Sequence, residues 1–309
     1  EGRGIFSGLA HWVKGGVFFW LGLLTLGRWS GSFAELGWAW NLHSKQSNGE
    51  GWHPSAEFVE SFLIFFYGAT NIFLEHLGNW GKAWTAQDLE HVSLTVLFIG
   101  GGLLGMLVES HHIREFLNIT ASGTSTHPDV NVDEEAARGE EPRTYQLSLN
   151  PIPALVILLV GIMMSSHEQS TMISSMIHKQ WGNLLTGAAF CRGLTYVLLY
   201  LRPPQSTLPS RPPTEILAAF GLIAGGVIFM ASVSHFIIRI FYASTLTYNE
   251  QSSDTVDGMI HYELDAMFMY TVTMGFVGVL MAWEIVVLAV KGWAVRHKSS
   301  GLLRKEFWK

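Results

Sequence analysis

Long apolar runs alternate with shorter polar ones along nearly the whole chain, and their lengths predict helices that cross a membrane. A spanning helix needs roughly 20 mostly apolar residues, because hydrocarbon offers no partner to a free backbone group. Seven runs meet that need, near residues 11–29, 57–77, 90–109, 151–168, 178–201, 214–242 and 264–290. The first is the weakest, since Lys14 and several glycines interrupt it. The proline-rich "LRPPQSTLPSRPPTE" (201–215) predicts a loop between the fifth and sixth spans. Residues 111–148 form the longest polar stretch, and the acidic "HPDVNVDEEAARGEEPR" within it predicts a mobile loop. Residues 291–309 read as a basic tail. No soluble domain and no internal repeat is evident. The pattern therefore predicts an all-α polytopic membrane helix bundle of about seven transmembrane helices, one transmembrane domain over residues 1–309.

Composition agrees. Of 309 residues, 49% are hydrophobic and only 14% charged, against about 25% charged in a soluble domain. A net charge of −6 gives no reason to expect a nucleic-acid partner. The single cysteine, Cys191, rules out an intrachain disulfide framework and a cysteine-only metal site. Residue 1 is a glutamate, so no leader is readable and the chain is expected to be part of a longer one.

Seven spans place the two termini on opposite sides. Of 19 Lys and Arg residues, thirteen fall on the C-terminal side and five on the other, with Arg192 inside the fifth span. The excess of positive charge on one side predicts a cytosolic C-terminus, in a plasma membrane or endomembrane.

On that topology the polar residues inside the apolar runs are not scattered. Glu75 and His76 close the second span, and Asp88, Glu90 and His91 open the third. His167 and Glu168 end the fourth, in "GIMMSSHEQSTMISSMIHKQWG", and His178 opens the fifth. His235 lies late in the sixth, while His261, Glu263 and Asp265 open the seventh. Six histidines thus approach the non-cytosolic leaflet from six helices. Ionisable groups near membrane depth cost several kcal/mol unless they pair, line water or bind something. His167 and His178, eleven residues apart, would lie ~16 Å apart on one continuous helix, so they meet only if the chain turns between them.

Imidazole and carboxylate suit copper, zinc or iron, and nearby methionines would favour copper; haem is a further candidate. The methionines taken singly are ordinary fillers of apolar gaps. First-choice metal ligands are His91, His167, His178 and His261. Glu75, His76, Glu168, His235 and Asp265 would serve as orienting partners or alternative ligands. On the cytosolic side, Glu57 and Glu60 stand one helical turn apart and could hold a proton or cation, though acidic residues in a first turn also simply complement the helix dipole. Glu284 has Lys291 or Arg192 as possible partners. No catalytic residue can be assigned.

Several long strings, among them "SAEFVESFLIFFYGATNIFLEHL", "TAQDLEHVSLTVLFIGGGLLGMLVES" and "MMSSHEQSTMISSMIHKQWG", resemble the C-terminal region of the fungal Ytp-type transmembrane proteins. More distantly, the chain is similar to the transmembrane protein 45 family, sharing an E-x-x-E helix start and a histidine-rich junction. The resemblance covers nearly the whole chain. It carries over Glu57, Glu60, Glu75, His91, His167 and His178, with His261 plausible, whereas His76 and His235 do not match the wider pattern. It implies a multi-helix fungal membrane protein preceded by an additional N-terminal membrane region, and it implies no chemistry.

Four functions remain open at this level. One is a metal-binding, redox-active or copper-handling protein. A second is a proton- or cation-coupled transporter or channel using the same polar residues. A third is a zinc-dependent lipid hydrolase, and a fourth is a structural subunit. The expected partners are the lipid bilayer and either an N-terminal membrane region of the same precursor or a second copy.

Overall fold

A computed structural model describes residues 2–41, 54–76, 84, 86–123, 147–166, 172–231 and 266–306. Among these, every regular element is helical. Seven long helices form the bundle: α1 (Gly2–Ser30), α2 (Ala56–His76), α3 (Ala86–Glu109), α5 (Ile152–Ser166), α6 (Met172–Leu201), α7 (Pro213–Ala231) and α8 (Ala266–Glu306). A shorter helix, α4 (His111–Gly123), follows α3. Stretches within α3, α6, α7 and α8 are long and apolar enough to cross a membrane; α5 is equally apolar but only 15 residues long. The chain is a polytopic helical membrane protein, and the helices fall where the apolar runs predict them.

Two details differ from the sequence expectation. The polar stretch after Glu109 does not begin as a loop, because residues 111–123 are helical. Residues 291–306 of the basic tail likewise continue α8 without a break, giving one helix of 41 residues.

The helix ends explain themselves. Ser55 caps α2, its hydroxyl accepting the Phe58 N–H at 3.0 Å. Asn150 does the same for Ile152 at the start of α5, and Pro213 opens α7, where its missing N–H costs nothing. The end of α1 is a Schellman turn, with Ser32 N–H donating to the Gly27 carbonyl and Gly31 N–H to that of Arg28. Gly31 sits there at φ +92°, pressed against Pro209, so no side chain fits.

Packing is antiparallel and close. In lipid there is no hydrophobic drive between helices, so small residues that let backbones approach carry the contact. α1 lies along α7, α7 along α6, α6 along α5, α5 along α3, and α3 along α2; α8 rests on α7 and α6. Gly102 of α3 meets the Phe65 backbone of α2, and Gly161 of α5 meets Gly182 of α6. α7 is the centre, 72% buried over its span against 17% for α8, which is why its sequence is apolar and glycine-rich on every face.

This order brings one set of helix ends together. The C-terminal ends of α1, α3 and α6 meet the N-terminal ends of α2, α5 and α7, as the side-chain contacts below show.

Candidate functional site

The end where these helices converge holds a charged cluster inside an apolar bundle. Arg28 of α1, Glu57 and Glu60 of α2, Arg192 of α6 and Glu215 of α7 are all buried. The Arg28 Nη2 lies 2.8 Å from Glu57 Oε1. Arg192 lies between two carboxylates, with Nη1 3.2 Å from Glu60 Oε1 and Nε 2.8 Å from Glu215 Oε1. Its Nη2 donates to the Thr25 hydroxyl at 3.0 Å. Tyr196, one turn beyond Arg192, donates its hydroxyl to Glu57 Oε1 at 3.2 Å and so joins the two pairs into one network.

Surrounding groups hold the arginines in place. Arg28 Nε donates to the Trp38 carbonyl at 2.6 Å, and its guanidinium lies 4.2 Å from the centre of the Trp40 ring. Trp38 in turn donates to the Pro54 carbonyl just before α2. On the other flank, Thr195 bonds Thr214 across the α6–α7 contact. A void of about 20 Å³ adjoins the Glu60–Arg192 pair, lined by Leu21, Ala154, Ala188, Ala218 and Leu222 among others. One water needs ~10–15 Å³ on that measure, so there is room for one.

A separate node lies nearby. Glu109, at the end of α3, accepts from Ser55 at 2.6 Å and Ser148 at 2.8 Å, and pairs with Arg114 at 3.4 Å. It ties the start of α2, the approach to α5 and the start of α4 to one carboxylate.

The opposite end of the bundle carries aromatic rings. Trp181 stacks on Phe229 with centroids 4.0 Å apart, and the rings of His11 and His178 approach edge to face at 6.3 Å. His178 is buried, with Nδ1 3.0 Å from the Ser174 carbonyl.

Of the sequence-predicted residues, Glu57 and Glu60 come together, each facing a guanidinium, which is a closer partner than the helix dipole. His91 lies on α3, its carbonyl accepting from Thr95, which itself accepts from Asn71. Glu75 and His76 end α2, with side chains outside the described set. His167, Glu168, His235, His261 and Asp265 lie outside the described residues. Among the described residues, no three His, Cys, Asp or Glu side chains converge as a metal site would require. Arg192 pairs with Glu60 and Glu215 rather than Glu284.

Arg28, Thr25, Tyr196, Glu215 and His11 join the polar contacts without standing out in the sequence. A signal exists for two of them, Arg28 and Glu215, which with Arg192 are opposite charges that the topology brings to one side.

The family model described as "Protein YTP1-like, C-terminal" matches residues 1–242 and 236–292. The chain belongs to that family. It is 40% identical over 297 residues to uncharacterized membrane protein C3B8.06 of Schizosaccharomyces pombe, covering 95% of this chain and 53% of that one. It is 39% identical to uncharacterized membrane protein YCR061W of Saccharomyces cerevisiae, covering 98% of this chain and 45% of that one. Protein YTP1 of the same yeast is 24% identical over 58% of this chain and 30% of its own length. This YTP1-like chain thus spans about half the length of the first two relatives. No solved structure matches it.

Proposed function

We propose that the chain is the proton-binding core of a proton- or cation-coupled membrane transporter, with Glu60 the group that takes up the proton. One observation carries this reading. Among the described residues, three buried carboxylates, Glu57, Glu60 and Glu215, face two guanidiniums, Arg28 and Arg192, which leaves a charge of −1 when all five are ionised. Surplus charge in a buried cluster is relieved by binding one more cation, and a proton is the smallest.

Stability alone is a poor reason for such a cluster, because desolvating buried ion pairs offsets most of their attraction. Intramembrane ionisable groups are instead the usual marks of a proton or ion pathway. Glu60 is favoured over Glu57 and Glu215 because it borders the void, while Glu57 is shared by Arg28 and Tyr196. On the Lys/Arg bias this end of the bundle, with the C-terminus, faces the cytosol.

The test is proton flux into vesicles loaded with a pH-sensitive dye. The chain should carry flux that Glu60→Gln abolishes while the variant still purifies as a folded species. A sealed bundle without flux would count against the reading.

A metal centre at His91, His167, His178 and His261, copper first and zinc or iron next, is the second reading. The contact between His178 Nδ1 and the Ser174 carbonyl favours it, since ligand imidazoles commonly anchor one nitrogen and present the other. Metal analysis of purified protein, before and after replacing His91 and His178, decides it.

A further inference from the structure

The void beside Glu60 lies on one particular side of the charged cluster. Leu21 stands one turn before Thr25 on α1, and Ala188 and Ala189 stand about one turn before Arg192 on α6. Ala218 and Leu222 follow Glu215 by one and two turns on α7. Each of these steps leads away from the helix ends that meet at the cluster and towards the middle of the bundle. The void therefore adjoins the Glu60–Arg192 pair from its inner side.

The wall decides what fits. Ala154, Ala188, Ala189 and Ala218 are all buried, and their small side chains leave about 20 Å³ open. A water also needs about two to four polar partners to be held in such a place. Glu60 supplies one, since both its oxygens accept from Arg192 Nη1, at 3.2 and 3.3 Å, and each keeps a second lone pair. Arg192 supplies another, because its Nη2 carries two hydrogens and gives one to Thr25.

The same wall is unsuited to a metal cation. Hard cations surround themselves with about six or more oxygen atoms. Among the residues lining the void, only the Glu60 carboxylate offers side-chain oxygens, and helical carbonyls are engaged in their own ladders. The Arg192 guanidinium, 3.2 Å from that carboxylate, would also repel a second cation. A proton needs one oxygen and no coordination shell.

We infer that the void is a one-water site between Glu60 and Arg192, and that it restricts the coupling ion to the proton. The first half stands on the void alone, and the second rests on the proton-transport reading. A proton arriving on that water as hydronium passes to a Glu60 oxygen. One O–H bond of the hydronium breaks, the carboxylic O–H forms, and a neutral water stays behind. The alanines are then specificity-determining residues, because they hold the space open for one water and nothing larger.

Two measurements on the full chain test this. A structure at a resolution that shows ordered waters should carry a density peak within hydrogen-bond distance of a Glu60 oxygen and an Arg192 nitrogen. No peak there, with other buried waters visible, would overturn the water site. In vesicles, proton flux should not change when sodium and potassium are replaced by N-methylglucamine, and flux that requires either metal would overturn the restriction to protons. Ala218→Val fills the void and should cut the flux several-fold; Ala154→Val does so from α5 if the first variant does not fold. Undiminished flux in a folded variant would remove the void from the route. A parent chain with no flux at all would sink the proton reading and the second half with it, while the density would still decide the first.

Discussion

Arg28 and Glu57 stand 2.8 Å apart, on helices that share little direct backbone packing, and both are almost fully buried. Removing one member of such a pair leaves the other as an uncompensated charge, at a cost of ~3–5 kcal/mol. Arg28→Gln and Glu57→Gln should therefore each destabilise the protein strongly. The double variant should lose much less than the sum of the two. Thermal melts of the detergent-solubilised chain, arranged as a double-mutant cycle, read the coupling; strict additivity would mean the pair does not interact in solution.

Arg192 serves two carboxylates at once, so its loss should exceed the loss of either partner. Arg192→Met is expected to lower the melting temperature more than Glu60→Gln or Glu215→Gln does. Adding Glu60→Gln to Arg192→Met should restore part of the loss, because one stranded carboxylate disappears. No restoration would show that Arg192 acts through packing instead.

Close helix packing gives a contrast between two neighbouring glycines. A side chain at Gly102 would meet the Phe65 backbone, whereas one at Gly100 meets nothing within 4 Å. Gly102→Leu should therefore separate α3 from α2 and cost at least ~1–3 kcal/mol, as overpacking does. Gly100→Leu should leave yield and melting temperature near those of the parent. The pair can be compared by size-exclusion profile and thermal melt.

Glu109 links three segments through Ser55, Ser148 and Arg114. Glu109→Ala should loosen that end of the bundle locally, exposing the chain near residues 55 and 148 to proteolysis sooner than in the parent. Glu109→Gln, which keeps an acceptor for a serine, should fall between them. Cleavage rates that do not differ would remove Glu109 as an organising group.

Much of the fold is legible in the sequence because its dominant signal is local. The run in 178–201 is apolar enough to announce α6, and the prolines around 203–213 mark the loop before α7. The helix at 111–123 escapes that signal because its apolar residues come only as a periodic stripe, Ile113, Phe116 and Leu117, within a polar stretch. The charged cluster is half legible. Glu57 and Glu60 stand out as a one-turn pair, but their partners come from α1 and α6, and nothing local says which arginine reaches which glutamate. Arg28 is a single charge at a helix end, where a basic residue is expected in any case. Only the antiparallel order of the helices, set by glycines and small residues, assigns the pairs.

That order has a mechanical consequence. From α1 through α7, α6, α5 and α3 to α2, successive neighbours pack closely, but the first and last, α1 and α2, are joined chiefly by the Arg28–Glu57 pair, with Tyr196 of α6 bonded to the same carboxylate. Among the described helices that contact is therefore a seam fastened by charge. Removing the charge of Glu57 would unfasten it while leaving the greasy contacts elsewhere intact, whereas Glu60, paired with Arg192 of α6, secures a different contact.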